Sequence, residues 1–69
     1  MQNIEIIVNG REQKYHTPLS VRDLLERMDL TGKKLAVERN GEIVPRTAHG
    51  VTLLAHGDRL EIVVAVGGG

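Results

Sequence analysis

No cysteine occurs among the 69 residues, which excludes disulfides, thiolate metal sites and a persulfide carried on a side chain. Tyr15 is the only aromatic residue, so aliphatic side chains and methionine must fill the core. Nine basic residues balance nine acidic ones, and no apolar run is longer than residues 62–66. A chain of this length forms one domain, and it buries only about 60% of the surface that its unfolded form exposes.

The charge balance and the hydropathy of the chain indicate that its partners are neither nucleic acids nor membranes. Proteins that bind nucleic acid carry an excess of basic residues, because the release of counterions from phosphates supplies much of their affinity. We therefore expect this neutral chain to bind no nucleic acid. The apolar run is too short to span a bilayer, and residues 1–20 contain no apolar segment that resembles a signal peptide. We expect a cytoplasmic protein without a membrane partner.

The N-terminal part of the chain predicts a β-hairpin. Residues 4–8 are rich in β-branched side chains, whose alternate members face one side of a strand. Asn9-Gly10 tolerates the positive φ angles of a tight turn. The polar residues 11–16 then form a return strand, which we expect at a sheet edge.

A helix is predicted to follow Ser20. The Ser20 hydroxyl is placed to accept from the amide of Asp23, and the Asp23 carboxylate to accept from the amide of Ser20, which is a capping box. An apolar stripe at helical spacing comes next: Val21, Leu24, Leu25 and Met28. We expect Gly32 to end this helix.

Three further strands complete the predicted fold. Residues 35–39 and 42–44 flank a second turn, Asn40-Gly41, and a connection leads to residues 60–66. The last segment is apolar on both faces, which is typical of a central strand. The order of elements predicts an α+β fold, in which one helix packs across one face of a mixed sheet of four to five strands. With its first and last strands parallel, this is the β-grasp arrangement.

No pattern in the chain predicts catalysis. Ser20 is the only serine and is explained as a helix cap, and no loop has the glycine spacing of a phosphate-binding motif. His16, His49 and His56 lack the spacing of a helical metal site. We therefore expect a protein that is not an enzyme and that binds neither a metal nor a cofactor.

Three glycines, Gly67, Gly68 and Gly69, directly follow the last strand. Glycine lacks a Cβ and slips through narrow channels, and three extended residues reach about 10 Å. A terminal carboxylate is ionised at neutral pH and is a poor electrophile, but adenylation supplies a leaving group that a sulfur nucleophile can displace. The alternative is a frayed terminus or a cloning remnant. Because the glycines continue an apolar strand, a reactive tail is the favoured interpretation.

Short motifs along the chain occur in an order that is typical of one family. They are Asn9-Gly10, Ser20-Val21-x-x-Leu24-Leu25, Asn40-Gly41-Glu42-Ile43-Val44-Pro45-Arg46, Gly57-Asp58-x-Leu60-Glu61-Ile62-Val63 and Val66-Gly67-Gly68-Gly69. In this combination, over residues 4–69, the chain resembles the sulfur carrier proteins of thiamine biosynthesis, the ThiS family.

The resemblance implies a ubiquitin-like β-grasp domain over residues 1–66 and a flexible tail over residues 67–69. It implies that an E1-like activating enzyme uses ATP to adenylate Gly69, that a sulfur donor system converts this residue to a thiocarboxylate, and that a thiazole synthase receives the sulfur. Gly67 and Gly68 are expected to thread the active sites of these partners. We expect the free carrier to be a monomer.

Two other interpretations stay open. The small subunit of molybdopterin synthase shares the terminal Gly-Gly but carries Pro-Pro before it, where this chain has Val64-Ala65-Val66. The TGS regulatory domain shares the outline of hairpin, helix and Asn-Gly-Glu but lacks the glycine end. A carrier of another pathway and a TGS-like binding module are therefore the alternatives.

A short tail requires the folded body to dock on each partner. With the helix on one face of the sheet, we expect Ile7, Val63 and Ala65 on the open face, where exposed apolar side chains indicate an interaction patch. They are equally well interpreted as half-covered residues of central strands. Arg46 and Arg59 are expected to add polar contacts at the docking edge.

Overall fold

The computed structural model describes residues 2–65. Within this range the chain forms five strands, one α-helix and a 3₁₀ turn. In chain order they are β1 (Asn3–Val8), β2 (Arg11–His16), α1 (Val21–Arg27), β3 (Leu35–Arg39), β4 (Glu42–Val44), the 3₁₀ turn (Arg46–Ala48) and β5 (Arg59–Val64). The predicted order of strands and helix is confirmed.

The strands form one mixed sheet in the order β2-β1-β5-β3-β4. β5 lies at the centre, parallel to β1 and antiparallel to β3. Its pairing with β1 is short, because only Ile7 and Val8 stand opposite residues of β5. The predicted α+β fold, with the last strand beside the first and the polar strand β2 at an edge, is confirmed.

The core lies between α1 and one face of the sheet. Its buried apolar side chains are Ile4, Ile6, Val8, Leu19, Val21, Leu24, Leu25, Val37, Val44, Leu54, Leu60 and Ile62. Full burial of an aliphatic side chain of this kind contributes about 1.5–3 kcal/mol relative to exposure. Val64, which alternation predicts on the same face, is only half-buried, because β1 no longer flanks β5 at this position.

α1 begins with the predicted capping box. The Ser20 hydroxyl oxygen accepts from the backbone N–H of Asp23, and a carboxylate oxygen of Asp23 accepts from the backbone N–H of Ser20, each at 3.0 Å. Aspartate thus performs the function that glutamate usually has in this motif. The hydrogen bond from the Ser20 backbone is the main reason that the pKa of Asp23 lies below its ordinary value.

α1 ends earlier than the predicted Gly32. The N–H of Leu30 donates to the carbonyl oxygen of Leu25 at 2.8 Å, and the N–H of Asp29 donates to that of Glu26 at 3.1 Å. These bonds form a Schellman motif, which requires a positive φ at its centre. Asp29 supplies that angle, with a φ of 60°. The prediction of the helix end was wrong because it relied on glycine to supply this conformation.

The connection to β5 is more regular than predicted. It opens with the 3₁₀ turn, and Leu53 forms an isolated bridge with Ser20 beside the start of α1. β5 itself spans Arg59–Val64, where the sequence predicts residues 60–66. The final residue of that predicted segment lies outside the described residues.

Candidate functional site

The chain leaves the sheet at the end of β5. Ala65 is the last described residue, and its N–H donates to the carbonyl oxygen of Lys34 at 2.8 Å. The backbone is therefore held beside the segment that precedes β3 up to this point. Gly67, Gly68 and Gly69, which are predicted to carry the reaction, lie outside the described residues.

On the other side of β5, β1 ends at Val8, and the turn Asn9-Gly10 makes the next hydrogen bonds to β5. The N–H of Ile62 donates to Oδ1 of Asn9 at 2.7 Å, and Nδ2 of Asn9 donates to the carbonyl oxygen of Ile62 at 3.1 Å. One side-chain amide thus supplies two bonds of the kind that a longer β1 would supply. The positive φ angles of the turn, 50° and 81°, are as predicted. The bonds to β5 were not predicted, because they join residues 53 positions apart.

The start of β5 is held by a buried carboxylate. Asp58 accepts from Nε of Arg39 at 2.9 Å, from Nδ2 of Asn40 at 3.0 Å and from the N–H of Ala55 at 2.8 Å. Burial by itself raises the pKa of Asp58, but these hydrogen bonds outweigh burial, and the pKa lies below its ordinary value. The carboxylate is therefore ionised at neutral pH and ties the second hairpin to β5. Nothing in the local sequence predicts these bonds, because Arg39 and Asn40 lie 19 and 18 positions from Asp58.

The open face of the sheet carries the predicted docking residues in two separate places. Ile7 is half-buried and stands opposite Arg59. Val63 is 63% exposed and stands opposite Ala36 of β3. Four positions along β5 separate Arg59 from Val63, which corresponds to about 13 Å at 3.3 Å for each residue. Ile7 therefore lies with Arg59, and both are distant from Val63 and Ala65.

Two exposed apolar residues of the open face were missed from the sequence. Ala36 pairs with Val63 across the sheet, and Ile43 of β4 is 61% exposed. Each directly neighbours a buried residue of its strand, Val37 or Val44. The alternation of strand residues was therefore the signal that identifies them.

Arg46 lies in a different part of the molecule from the open face. It lines a groove of about 480 Å³ together with Arg22 of α1 and Lys33 of the turn after α1. Arg59, in contrast, is exposed on β5 beside Ile7. The structure thus places the two arginines that were predicted at one docking edge on different surfaces.

Two of the three histidines make structural hydrogen bonds. Nε2 of His49 donates to the carbonyl oxygen of Val44 at 3.1 Å, and Nδ1 of His56 accepts from the N–H of Glu5 at 3.0 Å. Within residues 2–65, no three histidine or carboxylate side chains come together as a group that could hold a metal ion. In the same part of the chain, α1 and the 3₁₀ turn fall short of the length and apolarity that crossing a membrane requires.

A mixed five-stranded sheet, with β1 and β5 parallel and one helix across it, defines the β-grasp class of proteins. The crystal structure of a thiamine biosynthesis protein (ThiS) from Geobacter metallireducens matches this fold with a TM-score of 0.79 and 30% sequence identity. The match covers 96% of this chain and 100% of that one.

The sequence profile of the ThiS family matches residues 2–69, and the protein belongs to this family. The resemblance identified from the sequence motifs is thereby confirmed. The protein ycf40 of Pyropia yezoensis is 37% identical over 67 residues, which are 97% of this chain and 94% of that protein. A thiazole synthase of Paramagnetospirillum magneticum is 38% identical over 66 residues. These are 96% of this chain but only 20% of that relative, so the chain spans about a fifth of its length.

Proposed function

We propose that this protein is a sulfur carrier of thiamine biosynthesis and that its terminal carboxylate, on Gly69, is converted to a thiocarboxylate. The observation that carries the proposal is the match to the ThiS family, which extends to Gly69. The solved relative from Geobacter metallireducens is described as a thiamine biosynthesis protein, which supports the same pathway for this chain.

The proposed chemistry has two steps, both catalysed by partners. In the first, an E1-like enzyme directs a carboxylate oxygen of Gly69 to the α-phosphorus of ATP, so that pyrophosphate leaves and an acyl adenylate forms. In the second, sulfur at the oxidation level of hydrosulfide attacks the carbonyl carbon, and AMP leaves with the electrons of the broken carbon–oxygen bond. The carrier binds no cofactor in this scheme and is not itself an enzyme, because ATP is held by the activating partner.

The length of the tail limits the distance between the active site of a partner and the end of β5. Four residues beyond Ala65 reach Gly69, and they span about 13 Å when extended. The active site of any partner therefore has to come within that distance of the end of β5. Val63, Ala65 and Ala36 form the apolar surface at this end, and we propose that it docks on each partner in turn. Ile7 of β1 and Arg59 at the start of β5 lie about 13 Å from Val63, where they extend the contact.

We propose a thiazole synthase as the recipient of the sulfur. Two relatives are named thiazole synthases, and this chain matches a fifth of the length of each. A ThiS-like segment therefore occurs in the same polypeptide as the rest of those proteins, which keeps the two parts at a high effective concentration.

We propose that the activation of the carrier, which consumes ATP, takes place in the cytoplasm. The carrier acts as a monomer, with a sulfur donor system as a third partner and without nucleic acid or membrane.

Intact-mass analysis tests the proposal directly. The protein is incubated with an E1-like activating enzyme, ATP and a sulfur donor, and its mass is expected to rise by the difference between one sulfur and one oxygen. Fragmentation should place the change at Gly69. A variant that lacks Gly68 and Gly69 is the matched control and should keep its mass. Absence of the shift in the intact protein, where an established carrier reacts, would contradict the proposal.

A further inference from the structure

A groove next to the end of β5 carries three positive charges and no negative one. It has a volume of about 480 Å³ and lies between α1, the turn that follows α1 and the 3₁₀ turn. Its charged rim is formed by Arg22, Lys33 and Arg46, and its apolar floor by Leu25, Leu30 and Leu35. No carboxylate belongs to its lining among the residues described. We call this feature the basic groove.

Among residues 2–65, no cation of the basic groove makes a salt bridge, although Arg22 interacts at longer range with the carboxylate of Asp23. Within residues 2–65 the ion pairs are Lys14 with Glu5 and Arg39 with Asp58, and neither uses a cation of the basic groove. Arg22, Lys33 and Arg46 are all exposed. Since like charges gathered in one place repel each other, their grouping does not serve the stability of the fold. On a chain whose net charge is zero, the groove is a local region of positive potential.

The basic groove lies beside the point at which the chain leaves the sheet. Leu35, at its floor, stands opposite Val64. Lys34, which separates Leu35 from the rim residue Lys33, accepts the hydrogen bond from Ala65. A tail of four residues spans about 13 Å, so an enzyme that encloses it comes close to the groove as well as to the apolar surface around Val63.

We propose that the basic groove is a second docking contact and that it receives acidic side chains beside the active-site entrance of the activating enzyme. This inference rests on the proposed function. Arginine binds carboxylates through paired charge-assisted hydrogen bonds, and the leucine floor accommodates an apolar neighbour of the acidic side chains.

The activating enzyme is the partner that this contact suits best. It has to bring the anionic terminus of the carrier close to the negatively charged phosphates of ATP, and that approach is repulsive. Attraction at the basic groove, away from the reacting atoms, offsets this repulsion and raises the rate of encounter.

Neutralising substitutions test the proposal. Arg22→Gln, Lys33→Gln and Arg46→Gln each remove one exposed positive charge, and Arg11→Gln on the edge strand β2 is the matched control. The measurement is kcat/KM for pyrophosphate release by the activating enzyme, at low and at raised ionic strength. At low ionic strength each groove variant is expected to lower kcat/KM about threefold, and the double variant Lys33→Gln/Arg46→Gln tenfold or more. These differences should shrink as salt is added, and the control should match the wild type.

A second measurement separates docking from folding. Addition of the unlabelled enzyme to a ¹⁵N-labelled carrier should shift the amide resonances of residues 31–34 and 46–50. Shifts confined to the face around Val63 would overturn the assignment of the groove. So would wild-type turnover that all three groove variants match at every ionic strength. Failure of the proposed function looks different, because the wild type itself would then release no pyrophosphate.

Discussion

The central strand β5 is held in different ways at its two ends. At its start, Asp58 is buried and accepts hydrogen bonds from Arg39, Asn40 and Ala55. At its end, Val63 is 63% exposed, and Ala65 is also on the surface. The contrast shows that one end of β5 stabilises the fold, whereas the other end exposes a surface to which partners can bind. The start secures β5 in the fold, and the end leaves an apolar surface beside the proposed reactive tail.

The two Asn-Gly turns show the same contrast. Asn9 and Asn40 have φ angles of 50° and 52°, and each asparagine side chain bonds to the backbone of β5. The side chain of Asn9 makes both of its hydrogen bonds to Ile62, near the exposed end. Asn40 accepts from the N–H of Arg59 at 2.9 Å and also donates to Asp58, at the buried end. One dipeptide thus closes a hairpin and joins that hairpin to the central strand.

The largest expected effect comes from Val63→Asp at the exposed end. A charge in the proposed docking surface should lower kcat/KM for activation about a hundredfold, since buried apolar contacts dominate binding energy. Stability should change by less than about 1 kcal/mol, because the side chain is mostly in solvent.

Val51→Asp is the matched control for this substitution, because Val51 is 79% exposed and lies in the connection to β5. It should react like the wild type in the same assay of pyrophosphate release. An equal loss of activity in both variants would remove the distinction between the exposed end and the rest of the surface.

Asp58→Asn tests the buried end and should act on stability alone. The substitution removes the charge opposite Arg39 and leaves at least one of three partly buried donors without an acceptor, which costs about 1–3 kcal/mol in the free energy of unfolding at pH 7. Under conditions in which the variant is folded, its kcat/KM for pyrophosphate release should equal that of the wild type. Urea denaturation measures the first effect and pyrophosphate release the second. A variant that is stable but inactive would show that the two ends are not independent.

The pH dependence of that stability difference has a definite sign. The pKa of Asp58 is lowered in the folded state, so its contribution is complete above the unfolded pKa of about 3.9 and is lost as the pH falls through the folded value. The difference between wild type and Asp58→Asn should therefore be large at pH 7 and small in strong acid. Urea titrations at several pH values check this, and a difference independent of pH would contradict the role assigned to the ionised carboxylate.

Asn40→Gly and Asn9→Gly compare the two turns. Glycine keeps the positive φ, removes the side-chain hydrogen bonds and increases the entropy of the unfolded chain, so the free energy of unfolding of each variant should fall by about 1–2 kcal/mol. Asn40→Gly should lose more, because it also withdraws a donor from buried Asp58. Hydrogen exchange should distinguish them: only Asn9→Gly is expected to speed exchange at the amide of Ile62. Equal exchange at that amide in both variants would refute the assignment of each turn to its own end of β5.

The smallest expected effect is a gain in stability from Asp29→Gly. Glycine adopts the positive φ of the helix end without strain, although it also increases the entropy of the unfolded chain. The net gain should be about 0.5 kcal/mol, which raises Tm by about 2–4 °C in a domain of this size. Thermal unfolding checks it, and kcat/KM should stay unchanged. A lower Tm would show that the Asp29 side chain makes a stabilising contribution of its own.

Local patterns in the sequence predicted most of the secondary structure. The bounds of β2, β3 and β4 agree with the structure, and the capping box joins Ser20 to Asp23 as expected. These features depend on residues within a few positions of each other, so short windows of sequence contain their causes. The helix end at Asp29 was missed because a non-glycine residue with positive φ has only a weak sequence signal.

The arrangement of the candidate site was less predictable. The sequence indicated that Ile7 and Val63 share a face, but the register of β1 against β5 places them about 13 Å apart along the strand. Arg22, Lys33 and Arg46 belong to three separate segments, and nothing in their spacing indicates that they line one groove.

The sequence by itself determined the strands, the two turns, the start of the helix and the family, because each follows from the identity and order of neighbouring residues. The tertiary structure alone decided how β5 is secured and what surrounds its end. The bonds from Asn9 to Ile62 and from Arg39 to Asp58 join residues 53 and 19 positions apart. The physical reason is that such contacts form only after the sheet has brought distant segments together, so their geometry depends on strand register and packing.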